Sequence, residues 1–492
     1  MALPPELIGL MVSYITAPPL SPHEQQHGQS HLSQYATVDR VWQEIIEERT
    51  FSTICLGTAK RLDEFRRLKL NSRRKSCIRR IDLIVELEPY DVDARARFET
   101  DEEHQRNNKL FTQAIHSLLQ VLASWPNNPQ GIELSITAQS PSDMSAIPDL
   151  RERRKRRKAA RFDRVTDLLH RRYEKSYLQL DKIFKCFSVP IISSLHVREF
   201  ILHGRLIQPA SCARLASNLT CLRSVTLDLN DECKRDKTLR KRNRNGFAAL
   251  FHLWPPTVQE FYLNFNHCPP HNDRFSPEIV TENDSDLLSS RIREFSQQLT
   301  HITIQAVIGR EVFWPLYPEG KDVKLPFWPN LVSFSVNFVP ITPSGDWLFE
   351  RDPNELDNKI DSEDSDPEGE YPDYVRTVPE DRSGGYIRSK IIPAFFNELY
   401  SSAGQAALRM PQLKYMSLEI TQGSGRHSFR YEIKHGAAKV IWADMAGFIG
   451  ADTHFFHPED SVLQIWKDVA SQHTGSGLEV KIADDRDIYL VS

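Results

Sequence analysis

One short spacing pattern constrains this chain more than any other feature: an apolar residue, two others, then apolar residues in alternation. It runs through Ile78-x-x-Ile81-x-Leu83, Val197-x-x-Phe200-x-Leu202, Leu222-x-x-Val225-x-Leu227-x-Leu229 and Val258-x-x-Phe261-x-Leu263-x-Phe265. Leu299-x-x-Ile302-x-Ile304, Leu331-x-x-Phe334-x-Val336-x-Phe338 and Leu413-x-x-Met416-x-Leu418-x-Ile420 continue it, and Gly131 to Ile136 is a weaker copy. Alternation with a period of two gives a strand with one buried face. A strand pattern that recurs along a chain is the mark of a repeat architecture.

Several copies follow a helical stretch and a short turn: Ser211 to Leu219 before Leu222, Gly246 to Trp254 before Val258, Arg293 to Gln298 before Leu299. Helix, turn and strand in succession predict an α/β fold with a parallel sheet on one side and helices on the outer side. From Val197 through Leu222, Val258, Leu299, Leu331 and Leu413 the steps are 25, 36, 41, 32 and 82 residues, too uneven for a regular horseshoe. The body at 56–350 therefore resembles an irregular leucine-rich-repeat solenoid, and an ordinary α/β domain with a parallel sheet fits the same pattern. Beyond it, Ser428 to Ile433 and Ala438 to Ile441 alternate as short strands. A helix around Ser461 to Gln472 and a strand at Leu478 to Ile482 follow. Residues 386–492 thus read as the last repeats and a cap hiding the open end of the sheet.

The N-terminus has a different period. Leu3 to Ile15 predicts a short helix, with Pro4 and Pro5 in its first turn, where a missing N–H costs nothing. Leu7, Leu10, Met11 and Tyr14 form one apolar stripe and Ile8, Val12 and Ile15 a second. One stripe can pack inside its own unit, while the other needs a second surface. After Thr16 to Ser30, rich in Pro, His, Gln and Ser, the residues Tyr35, Val38, Val41, Trp42, Ile45 and Ile46 recur at helical steps. Leu3-Pro4-x-Glu6-Leu7-Ile8, then Val38-Asp39-Arg40-Val41-Trp42 with Ile45, Phe51 and Ile54, resembles an F-box over residues 1–55. The resemblance implies a small helical unit that docks on the Skp-type adaptor of a cullin-based ubiquitin ligase. It makes Leu3, Pro4, Leu7 and Ile8 the main docking residues. Ile15, Val38, Val41, Trp42 and Ile45 would be shared between docking and the unit's own core. The interval from Pro4 to Trp42 exceeds the family's usual one because of the Ala17 to His31 loop. Degenerate repeats follow F-boxes in many large fungal families, which fits the body. The same helices would also serve as a plain cap on the solenoid.

Charge is unevenly placed. Arg151 to Arg161 is a dense basic block continuing through Arg164, Arg171 and Arg172, and Lys234 to Arg244 is a second. An exposed bridging helix, a nuclear-import signal and a nucleic-acid contact all fit the first block, although no aromatic residues interleave it as single-strand binding needs. Asp352 to Asp381 is acidic and poor in large apolar residues, predicting a disordered loop at 351–385.

The remaining composition narrows the class. A formal charge of -4 over 492 residues makes the whole chain neither strongly basic nor strongly acidic. Seven cysteines without C-x-x-C spacing argue against disulfide or zinc frameworks and for a reducing, intracellular setting, cytoplasm or nucleus. No segment reads as a signal peptide or a membrane span. G-x-S-x-G, H-E-x-x-H, P-loop and dinucleotide motifs are absent, His23, His27 and His31 lack a completing ligand, and His267 beside Cys268 is adjacency only. The expectation is a non-enzyme without cofactor or metal: a substrate-recruiting ligase adaptor whose repeat body holds a target protein. The alternative is a protein-binding scaffold without a ligase partner.

Overall fold

Ten apolar side chains, each in register with the next, run across the molecule: Ile81, Leu134, Leu195, Val225, Phe261, Ile302, Phe334, Met416, Tyr431 and Val440. All ten are buried. The computed structural model that shows this ladder describes residues 6–8, 11–12, 35–91, 93–126, 130–143, 172–181, 184, 187–198, 205–231, 236–270, 272–281, 285–316, 325–351, 388–422, 425–445 and 456–484.

The first eight strands are β1 (Thr53–Leu56), β2 (Arg80–Glu86), β3 (Ile132–Gln139), β4 (Ile192–Arg198), β5 (Ser224–Asn230), β6 (Glu260–Asn266), β7 (His301–Ala306) and β8 (Ser333–Phe338). A two-stranded ribbon, β9 (Phe349–Arg351) with β10 (Arg388–Ile391), stands apart. Then come β11 (Tyr415–Gln422), β12 (Gly425–Lys434), β13 (Ala437–Met445) and β14 (Leu478–Asp484). Apart from the ribbon, they form one twelve-stranded sheet in chain order. Every neighbouring pair is parallel except β11–β12 and β12–β13, which are antiparallel. The longer helices are α1 (Arg40–Phe51), α2 (Ala59–Arg67), α3 (Ser72–Cys77), α4 (Asp101–Ala123), α5 (Pro209–Ala216), α6 (Lys237–Ala249), α7 (Leu287–Ser296), α8 (Pro393–Ala407) and α9 (Asp460–Thr474). The fold is thus α/β with a large, mostly parallel sheet flanked by helices.

The leading residue of the repeated pattern has a consistent task. Leu222, Val258, Leu299, Leu331 and Leu413 are all buried, two positions ahead of their strands. At this point two successive amides donate to a single carbonyl of the preceding repeat. Gln259 and Glu260 share the Arg223 oxygen, Thr300 and His301 that of Gln259, Val332 and Ser333 that of Thr300, and Lys414 and Tyr415 that of Val332. Each new strand is thereby started in register by the last.

One copy falls elsewhere than its sequence pattern indicates. The strand expected at Val197 to Leu202 is β4, Ile192–Arg198, and its pattern is Ile192-x-x-Leu195-x-Val197, with Leu195 opposite Val225. Val197 itself lies within β4, opposite Leu227, while Phe200 and Leu202 are outside the described residues. Helix α4 has no counterpart in the repeat reading. Its start is fixed by a reciprocal cap, in which Thr100 Oγ1 accepts from the Glu103 amide and the Glu103 carboxylate accepts from the Thr100 amide. Phe111, Ile115, Leu118, Leu119 and Leu122 then join the core.

The closing unit departs from pure repetition. His435 and Gly436 both take positive φ, 52° and 80°, as a two-residue hairpin requires, and they reverse the chain between β12 and β13. Trp442 and Trp466 fill the interior there with Phe429 and Tyr431. At the last edge, Val480 and Ile482 of β14 remain 41% and 37% exposed, so this strand covers the sheet but is itself left open.

Candidate partner-docking surfaces

The N-terminal residues build a small core of their own. Glu6, Leu7, Ile8, Met11 and Val12 are helical, and Asp39 caps α1 by accepting the Trp42 amide at 2.9 Å. Ile8, Val12, Trp42 and Ile46 are buried against one another, with Ala36 and Ile45 packed on the rim, as a cluster distinct from the sheet's core. Tyr35 stacks on Trp42 with centroids 6.0 Å apart. The two stripes part as their spacing requires: Ile8 and Val12 turn inward, Leu7 and Met11 outward.

Of the nine residues that the resemblance singled out, Leu3, Pro4 and Ile15 lie outside the described residues. Leu7, Val38 and Val41 are 48%, 61% and 37% exposed, while Ile8 and Trp42 are buried in the cluster and Ile45 is half-buried beside it. Met11, which the motif does not include, is 45% exposed and stands one turn from Leu7 on the same face.

This unit joins the sheet without a spacer. Helix α1 ends at Phe51 and β1 begins at Thr53; Ser52 between them accepts the Arg79 and Arg80 amides, each at 2.9 Å. Helix α3 clasps α1 from the side, where Glu47 pairs with Arg73 and, at 2.7 Å, with Arg74. The Arg74 hydrogen bond holds the Glu47 carboxyl below its ordinary value, against a smaller opposing effect of burial.

The second basic stretch is divided: Lys237 and Arg242 are exposed, while two of its arginines are buried. On α6, Arg240 and Arg244 point into the protein: Arg240 meets Asp231 at 3.3 Å and Glu278 at 2.8 Å, and Arg244 meets Asp286 at 2.7 Å. Arg172, at the end of the first stretch, is buried as well and donates to the Ala94 oxygen at 2.6 Å. Arg151 to Arg161, the acidic segment from Asp352 to Asp381, and His23, His27 and His31 lie outside the described residues.

His267 is buried, its Nδ1 donating to Asp231 Oδ2 at 3.1 Å. Burial holds this imidazole below its ordinary value. Burial alone would raise the Asp231 carboxyl, but Arg240, His267 and Arg244 outweigh it and keep the group low. In the closing unit, His427 lies between Tyr400 and Asp444, hydrogen-bonded to both, while Asp444 Oδ2 accepts the Phe456 amide at 2.7 Å. His427 and Asp444 fill a register position that Phe338 and Ile420 fill with hydrocarbon on the preceding strands. Both networks are enclosed and serve as polar fasteners. Among the described residues no group of three or more His, Cys, Asp or Glu is arranged to hold a metal.

The other face of the sheet is polar. Across β5 to β8 its outward rows are Ser224, Glu260, His301 and Ser333; Thr226, Tyr262, Thr303 and Ser335; Asp228, Asn264, Gln305 and Asn337. At the carboxyl ends of β6 to β8 lies a cavity of about 260 Å³, bounded by Asn266, His267, Gln305, Asn337, Phe338 and Trp347. A wider hollow of about 470 Å³ on the helical side is lined by groups already engaged with one another, Arg310 with Glu398 and Asn397 with Glu459.

No helix among the described residues is long and apolar enough to cross a membrane. No curated protein and no solved structure matches the chain. Residues 386–488, the span from the ribbon strand β10 to just past β14, match a family of unknown function, DUF6546. The likeness is therefore to the closing unit, hairpin and fastener included.

Proposed function

We propose that this chain is a substrate-recruiting adaptor of a Skp/cullin/F-box-type ubiquitin ligase, with the N-terminal unit as its F-box and the repeat body as the platform for a target protein. One observation carries this reading. The N-terminal helices satisfy their own core with Ile8, Val12, Trp42 and Ile46, yet leave Leu7, Met11, Val38 and Val41 in solvent instead of against the sheet. A cap would turn those side chains onto the body. Large apolar side chains held outward on a self-sufficient helical unit are what a docking partner covers. Such an adaptor acts by raising the local concentration of a target beside the conjugating machinery, so it needs no catalytic residues of its own.

Co-purification of the full chain with a Skp-type adaptor tests this. Leu7→Asp with Val41→Asp removes the outward face and leaves the cluster intact, so binding is lost while the unfolding profile stays that of the native chain. Absence of binding by the well-folded native chain would establish the scaffold reading instead.

A further inference from the structure

Three carboxamides gather at the carboxyl ends of β6, β7 and β8. Asn266, Gln305 and Asn337 line the cavity of about 260 Å³, and none of their side chains bonds to another described residue. They are at least partly open to solvent, where a ligand can reach them. A carboxamide offers both a donor and an acceptor, the complement of a peptide group. Neighbouring strands are about 5 Å apart, within reach of successive main-chain groups of an extended segment rising about 3.4 Å per residue.

The walls of the cavity are firm. Phe338 is buried on β8, and Trp347 is fixed by its indole N–H, which donates to the Phe275 oxygen at 2.9 Å. His267, held by Asp231, closes the inner side. This volume suits one large side chain with an apolar body and a polar tip. Charge selects further. The outward positions of β5 to β8 carry Asp228 and Glu260 but no Lys or Arg. On these four strands an acidic segment would meet only like charge, and a nucleic-acid backbone would find no cation to replace its counterions.

We infer that this end of the polar face binds an extended, uncharged or basic peptide segment of the target, with main-chain hydrogen bonds to Gln305 and Asn337 and one aromatic side chain in the cavity by Trp347. The inference deepens the reading of the body as the target platform, and it stands independently of the ligase partner.

The test pans the immobilised full chain against a displayed library of random linear peptides and measures affinities of synthetic copies of the enriched sequences. Enrichment of peptides lacking Asp and Glu and sharing one aromatic position supports the assignment. Gln305→Ala and Asn337→Ala, both at the sheet surface, then weaken binding about tenfold each, the scale of one lost hydrogen bond. Leu7→Asp serves as the control and leaves peptide affinity unchanged, separating failure of this site from failure of adaptor docking. No enrichment over a blank surface overturns the proposal. So do predominantly acidic peptides, or affinities that the two alanine variants do not alter.

Discussion

Burial turns several arginines of this chain from surface charges into internal struts. Arg205 and Glu99 are wholly enclosed, 2.7 Å apart, with Arg205 also against the Tyr173 ring. Removing one partner leaves the other charged and unpaired, so Arg205→Ala costs about 3–5 kcal/mol, and removing Glu99 as well restores part of the loss. Denaturant unfolding of the single and double variants measures this; losses that simply add would show that the pair is not coupled. Glu47 gives a pH-dependent counterpart. Its carboxyl is depressed in the folded chain, so the α1–α3 clasp is at full strength above the ordinary value of 4.5 and is lost as pH falls through the lowered one. Hydrogen exchange across Arg40–Phe51, corrected for intrinsic rates, loses protection on that acid limb in the native chain. Glu47→Gln is weaker at neutral pH and lacks the acid step. A variant with an unchanged acid limb would place the sensitivity elsewhere.

Among the elements, strands were legible and their partners were not. Alternation located β2, β3, β5 to β8 and β11 through β14, because a half-buried strand has no other way to pattern itself. It is silent on direction: β12 runs antiparallel to both neighbours, and the reversals are marked only by short turn signals, Gly423-Ser424 before it and His435-Gly436 after it. The slip at β4 arose where two overlapping stretches fit one template. Helix α4 went unread although Thr100 and Glu103 announce its start. In the N-terminal unit two apolar stripes are evident, but which one turns inward depends on where Trp42 and Ile46 lie in space; Ile8, which the resemblance places among the docking residues, is buried against them. Likewise, Arg240 and Arg244 looked cationic because Asp231, Glu278 and Asp286 are remote in sequence. A packing prediction belongs to this scale. On α8, Gly404 lets α9 approach so closely that an added Cβ would sit 2.4 Å from Ile465 Cγ2. Gly404→Ala therefore destabilises the closing unit by about 1–3 kcal/mol through overpacking, despite alanine's better helix propensity. A raised thermal midpoint would show that the two helices have room to part.

The whole molecule is a sheet wound in sequence, so each strand depends mainly on its neighbours. Removing the chain from residue 386 onward uncovers β8 together with Phe334 and Phe338, and the shortened protein is expected to aggregate. Removing residues 1–51 takes away a unit with a separate core, and the body should keep its far-ultraviolet spectrum and unfolding midpoint. Comparing the solubility and circular dichroism of the two truncations checks both statements. A soluble product of the first, or collapse of the second, would contradict the division.

Ser52 alone separates α1 from β1, and the Arg79 and Arg80 amides grip it. A helix that runs directly into a sheet transmits its rotational phase. One residue inserted into α1 turns everything before it by about 100° about the helix axis. On the adaptor reading, the register of this single helix determines which side of a bound target faces the conjugating enzyme, and hence which of its lysines come within range.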